Sequence, residues 1–108
     1  MKHFDTIIVG AGPGGIFSAY ELKKKEPSRS VAVFEAGHPL EKRRCPIDGE
    51  KINSCINCKS CSIMSGFGGA GAFSDGKYNI TNNFGGTLYE HIGKKKALDL
   101  MYYVDQIN

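Results

Sequence analysis

No apolar run in this chain of 108 residues is long enough to span a membrane, so an integral membrane protein is not expected. No secretory leader is expected either. The apolar run Thr6-Ile7-Ile8-Val9 is too short for one and ends in glycines instead of a cleavage site. A strong charge of one sign is also missing. Fourteen Lys and Arg against eleven Asp and Glu leave a net charge of +3, well below the basic density of a nucleic-acid-binding surface. The three histidines, His3, His38 and His91, stand far apart, and none is read as a catalytic base. There is no internal repeat and no low-complexity tract. With 41% hydrophobic and 23% charged residues, the composition is that of a folded protein, and with no leader expected the cytoplasm is the expected compartment. What the chain has in excess is glycine, 14 of 108 residues, about twice ordinary usage and gathered in clusters.

Asp5-Thr6-Ile7-Ile8-Val9 is β-branched and nearly all apolar, as a parallel strand buried on both faces would be. It stops at Gly10-Ala11-Gly12-Pro13-Gly14-Gly15. A helix is expected over Ile16–Lys25, with Ile16, Ala19, Tyr20 and Leu22 as its apolar stripe. Lys23, Lys24 and Lys25 lie at the end where the helix dipole favours cations, and Pro27 stops it. Ser30-Val31-Ala32-Val33-Phe34-Glu35 reads as a second buried strand. Strand, glycine turn, helix and strand make a right-handed βαβ unit over residues 1–37. Residues 38–86 hold all four cysteines and no long periodic segment, and read as a Cys- and Gly-rich loop region. In residues 87–108, Leu88, Ile92, Ala97, Leu100, Met101, Val104 and Ile107 recur at helical steps, with a break expected at Gly93. The triplet Lys94-Lys95-Lys96 reads as a solvated face. The fold class is therefore α/β: an incomplete Rossmann-like unit for FAD or NAD(P), followed by loops and C-terminal helix. Two strands do not complete a doubly wound sheet, so the chain is expected to be the N-terminal part of a longer protein and inactive alone.

Gly10-x-Gly12-x-x-Gly15 matches the dinucleotide fingerprint, and each glycine has its own reason. Gly10 permits the tight turn. Gly12 lets backbone approach a pyrophosphate. Gly15 lets the helix pack closely on the strand. The pyrophosphate would lie over Pro13, Gly14 and Gly15 at the helix N-terminus. Glu35, 20 residues after Gly15 and followed by Ala36, stands where a carboxylate accepts from the adenosine ribose hydroxyls. A carboxylate there would repel a 2′-phosphate, which disfavours NADP. The pocket alone does not separate FAD from NAD.

Six of the seven residues from Gly66 to Ala72 are small, and Ser74-Asp75-Gly76-Lys77 follows. Gly69, Ala70 and Gly71 offer backbone that a cofactor can approach closely, with Ser74 and Asp75 as hydrogen-bonding groups and Lys77 as a positive charge. The cysteines form a triplet, Cys55-x2-Cys58-x2-Cys61, with Cys45-Pro46 upstream. The triplet matches part of an iron–sulfur run, whose fourth cysteine usually lies downstream. Zinc held by four thiolates, a redox-active disulfide, and unligated thiols are the alternatives.

The residues Asp5–Gly15 together with Val33-Phe34-Glu35-Ala36-Gly37 resemble the flavoproteins with two dinucleotide-binding domains, which hold FAD near the N-terminus. Cys45-Pro46, the cysteine triplet and the segment 66–77 resemble, more narrowly, the bacterial FAD-dependent dehydrogenase family. The resemblance implies FAD, an oxidoreductase of greater length, and Gly10, Gly12, Gly14, Gly15 and Glu35 as FAD contacts. It adds Lys42 and Arg43 as lesser candidates. The expected partners are a small-molecule substrate or an electron donor or acceptor, with NAD(P)H among the candidates. Neither the substrate nor a catalytic residue follows from the resemblance. An electron-transfer or metal module built on Cys45, Cys55, Cys58 and Cys61, and an NAD-dependent dehydrogenase, are the alternative functions.

Overall fold

The computed structural model describes every residue except Phe84 and Asn108, so the last residue of the helical segment read from the sequence lies outside the described residues. The chain divides into two compact units, Met1–Ser74 and Asp75–Asn108.

The first unit begins with β1 (Thr6–Val9), α1 (Pro13–Lys25) and β2 (Val31–Phe34). The strands pair in parallel, in the register Thr6 to Val31 through Val9 to Phe34. The unit is thus a βαβ start with a two-stranded sheet. The helix starts three residues earlier than its apolar stripe suggests. Pro13 takes the first helical position, where its missing N–H removes no helical bond and its fixed φ suits the turn. Lys23, Lys24 and Lys25 close the helix at its negative end. The base of the unit is tied by short polar contacts. The Asp5 carboxylate accepts from the backbone N–H and the hydroxyl of Ser30 at 2.8 and 2.7 Å. Those bonds from Ser30 hold the Asp5 carboxyl below its usual range. Arg29 pairs with Glu26 at 2.7 Å and reaches the Thr6 hydroxyl at 3.2 Å.

The strands have the composition of elements buried on both faces, whereas in this two-stranded unit only the face toward α1 is covered, and Val33 on that face is still 40% exposed. Ile8 points to α1, and a Cβ at Gly15 would stand 3.3 Å from its side chain. Ile7, Val9 and Phe34 share the opposite face and are 60%, 88% and 57% exposed. The all-apolar composition records what those strands can bury. A single helix against two strands supplies cover for only one side.

The centre of the unit lies beyond the strand ends, in the loops, which carry two short 3-10 turns, Leu40–Lys42 and Ala70–Phe73. Ala11 is buried there, and so is Arg43, only 3% exposed.

The second unit holds α2 (Leu88–Ile92) and α3 (Lys94–Asp105). Gly93 joins them at a φ of 86°, in the left-handed region that glycine enters without strain. Ala97 of α3 is fully buried, and α2 and α3 are in contact. Lys94, Lys95 and Lys96 are exposed, and Lys95 pairs with Asp99 one turn on at 2.8 Å.

Candidate dinucleotide site

The glycine turn between β1 and α1 is built from the sheet upward. The Gly10 N–H donates to Phe34 O at 2.7 Å, extending the ladder by one bond, and the residue then turns with a φ of 97°. Gly15 lies against that turn: a Cβ on it would sit 1.9 Å from the Gly10 carbonyl oxygen. Only glycine lets α1 come down on β1 at this point. Around Gly12 and Gly14 the situation is the reverse, since a Cβ at either would meet nothing within 4 Å. The helix N-terminus has no side-chain cap. Its first N–H groups and the positive end of the dipole are thus presented beside open space, an arrangement that suits an anion.

Glu35 leaves the end of β2 and reaches back to this turn. Its Oε2 accepts from the Ala11 N–H at 2.8 Å and its Oε1 from the Gly37 N–H at 2.8 Å. These two bonds, Ala11 first, hold its carboxyl below the usual glutamate range, and the nearby Gly66 amide and Arg43 guanidinium act in the same direction. The carboxylate has about four acceptor positions, so these amides do not exhaust it and a hydroxyl donor can still be accepted. Ala36 is exposed beside it. The lowered value has a consequence for stability. The contribution is present above the unfolded glutamate value, about 4.3, and is lost as pH falls through the lower folded value. Glu35→Gln is expected to weaken the protein at neutral pH. The two urea-midpoint curves should converge as pH falls below about 4.3, and parallel curves would refute the assignment.

The second glycine cluster comes directly onto the first. The Gly68 N–H donates to Ala11 O at 2.8 Å. A Cβ at Gly69 would lie 3.3 Å from Gly12 Cα and 3.4 Å from Pro13 Cδ. Gly37 and Gly66 meet so closely that a Cβ on Gly37 would stand 2.5 Å from the Gly66 nitrogen. Ala70 and Gly71 open the exposed 3-10 turn Ala70–Phe73, and Ser74 closes it, its N–H donating to Gly71 O at 3.1 Å. Of the residues read as a cofactor-contacting set, Gly10, Gly12, Pro13, Gly14, Gly15, Glu35, Gly69 and Ala70 are thus brought into one neighbourhood or its immediate border. Asp75 belongs to the second unit, where its carboxylate pairs with Lys77 at 3.0 Å.

Arg43 has a different place from the one the resemblance implies. Its guanidinium donates to four backbone carbonyls: Ser62 at 2.8, Ile63 at 2.7, Phe67 at 2.7 and Gly69 at 2.8 Å. It also lies over the Phe73 ring at 4.8 Å. It holds the second glycine loop in shape, with its fork turned inward. Lys42 is exposed in its 3-10 turn. Nothing in the run Lys42-Arg43-Arg44 distinguishes the buried basic residue from its exposed neighbours. The sequence offered no signal for this role.

The four thiols are free, and all four line one cavity of about 230 Å³ with Pro46, Ile47 and Ile56. Among the described residues, no three His, Cys, Asp or Glu side chains are gathered so as to hold a metal ion as they stand. No helix of the described residues is long and apolar enough to cross a membrane.

Residues 8–40 match the family model of the NAD(P)-binding Rossmann-like domain. That stretch holds the glycine turn, α1, β2 and Glu35. Together with the parallel βαβ start it defines an incomplete α/β unit, a dinucleotide-binding module of the kind oxidoreductases carry. The chain is also similar to an uncharacterized protein of Clostridium beijerinckii, 38% identical over 71 residues. The matched stretch covers 66% of this chain and 13% of that relative. No solved structure matches.

Proposed function

We propose that the chain is the FAD-binding N-terminal portion of a flavin-dependent oxidoreductase. The observation that carries this reading is the seating of the second glycine segment on the first through the bond from Gly68 to Ala11. A turn fit for a pyrophosphate is thereby flanked by a second stretch of bare backbone, as the resemblance to FAD-dependent dehydrogenases implies. The residues fit such a group. Gly12 and Gly14 leave room, the uncapped start of α1 supplies N–H donors, and Glu35 keeps acceptor positions for a ribose. FAD, when bound, supplies the redox chemistry through its isoalloxazine ring. The chain's own part is to fix the pyrophosphate at α1, orient the ribose at Glu35, and use Gly69, Ala70, Gly71 and Ser74 as close walls.

In this reading residues 1–37 are the nucleotide-binding unit, 38–86 the loop region and 87–108 a helical segment of a longer FAD domain. The Ile7, Val9 and Phe34 face would be covered by that remainder. The substrate or electron partner is a small molecule, and the setting is the cytoplasm, where thiols stay reduced.

The test is identification of the dinucleotide released by acid from the protein purified at its full natural length. About one FAD per chain is expected, with a visible spectrum that bleaches on dithionite. A colourless protein that stays so after FAD is added, and that binds NAD reversibly, would overturn the reading in favour of an NAD-dependent dehydrogenase.

A further inference from the structure

We propose that Cys45, Cys55, Cys58 and Cys61 together hold an iron–sulfur cluster, a second cofactor site beside the dinucleotide turn and independent of it. The first observation is convergence: the four thiols of the described chain line a single cavity, although Cys45 is ten residues from the next cysteine. The fold brings this about through a clasp. Arg43, two residues before Cys45, donates to the carbonyls of Ser62 and Ile63, the two residues after Cys61. The segment from 44 to 61 is therefore a hoop with its ends tied, and both ends carry a cysteine.

The second observation is the local shape of the triplet. Asn57, between Cys55 and Cys58, adopts a φ of 52°, a left-handed turn uncommon outside glycine. Cys55 and Cys58, on either side of this turn, line the same cavity. The hoop contains no regular element. Its internal bonds gather at Asp48, whose carboxylate accepts from the N–H groups of Glu50, Lys51 and Ile52, while the N–H groups of Asp48 and Gly49 donate to Ile52 O. Loops of this kind are commonly ordered by the metal group they ligate.

The size and charge of the occupant follow from the same geometry. A single zinc ion draws four sulfurs to about 2.3 Å from one point, leaving them about 3.8 Å apart. The four cysteines line one space of about 230 Å³, and among the described residues no three donors are gathered to hold a metal ion as they stand, so the occupant would have to draw them in. Four iron atoms at the corners of a cube accept four thiolates that stand further apart than those on one ion. The walls contributed by Pro46, Ile47 and Ile56 are apolar, and no carboxylate lines the cavity. A cluster with four thiolates is an anion. Residues 42–61 carry five basic side chains, Lys42, Arg43, Arg44, Lys51 and Lys59, against Asp48 and Glu50.

The test uses the protein at its full natural length, purified without oxygen, with a second preparation reconstituted with ferrous iron and sulfide. Iron, acid-labile sulfide, zinc and bound flavin are measured on each. Roughly four irons and four sulfides per chain are expected, with a paramagnetic signal after dithionite. Cys55→Ser and Cys58→Ser should each lose most of the iron while keeping the flavin content. If a serine variant fails to fold, the iron and sulfide of the unaltered protein decide the matter alone. Folded protein with no iron and sulfide in either preparation overturns the proposal. So does one tightly held zinc, or a disulfide among these cysteines in the anaerobic protein. Flavin content is read separately, so a cluster without flavin would refute the flavin reading and leave this one standing.

Discussion

Replacement of Arg43 by methionine is expected to destabilise the first unit by about 3–5 kcal/mol, the size expected when a buried hydrogen-bond network loses its shared donor. Methionine preserves much of the length and the apolar stem, so the loss isolates the guanidinium. Its removal strands the carbonyls of Ser62, Ile63, Phe67 and Gly69, four acceptors that receive bonds from one side chain. Each carbonyl left dry and unpaired costs about 1–3 kcal/mol, and partial entry of water reduces the sum. Arg43→Lys keeps the charge but not the planar fork, and should recover only part of the loss. Arg44→Ala, at an exposed neighbour, should change stability by no more than about 0.5 kcal/mol. Urea unfolding of the three variants checks this. Equal midpoints for the Arg43 and Arg44 variants would show that the clasp contributes nothing.

The second large effect separates two glycines that the fingerprint treats alike. Gly15→Ala is expected to cost about 3 kcal/mol of stability, at the upper end for overpacking, because its Cβ would stand 1.9 Å from the Gly10 oxygen. A backbone oxygen held by the sheet and turn cannot rotate away as a side chain can. Gly12→Ala should leave stability within about 0.5 kcal/mol. Its φ of −77° is open to any residue, and its Cβ meets nothing within 4 Å. Dinucleotide affinity should nevertheless fall roughly a hundredfold, about 2.7 kcal/mol, because the methyl would occupy the space left for the ligand. The measurements are unfolding midpoint and FAD retention on both variants. If Gly12→Ala retains the cofactor unchanged, the open space over the turn is not the pyrophosphate site.

The amino-acid sequence by itself determined the βαβ start, the place of the glycine turn and the position of Glu35 at the strand end. These depend on neighbouring residues: apolar β-branched runs, a lysine-rich helix end, glycines at short fixed steps. Local chemistry of that kind is written in the order of the chain. The break between α2 and α3 at Gly93 is of the same kind, since a φ of 86° is a glycine property. The tertiary structure alone decided which of three consecutive basic residues turns inward, that Gly68 and Gly69 come to rest on Ala11, Gly12 and Pro13, and that Cys45 joins a triplet ten residues away. Each of these joins segments distant along the chain and lacking a periodic pattern. Their pairing is set by which carbonyls one guanidinium can reach and by where backbone without side chains can touch. It also decided that one face of the strands is open, because apolar composition states what a strand can bury, and only the surrounding elements state whether it is covered.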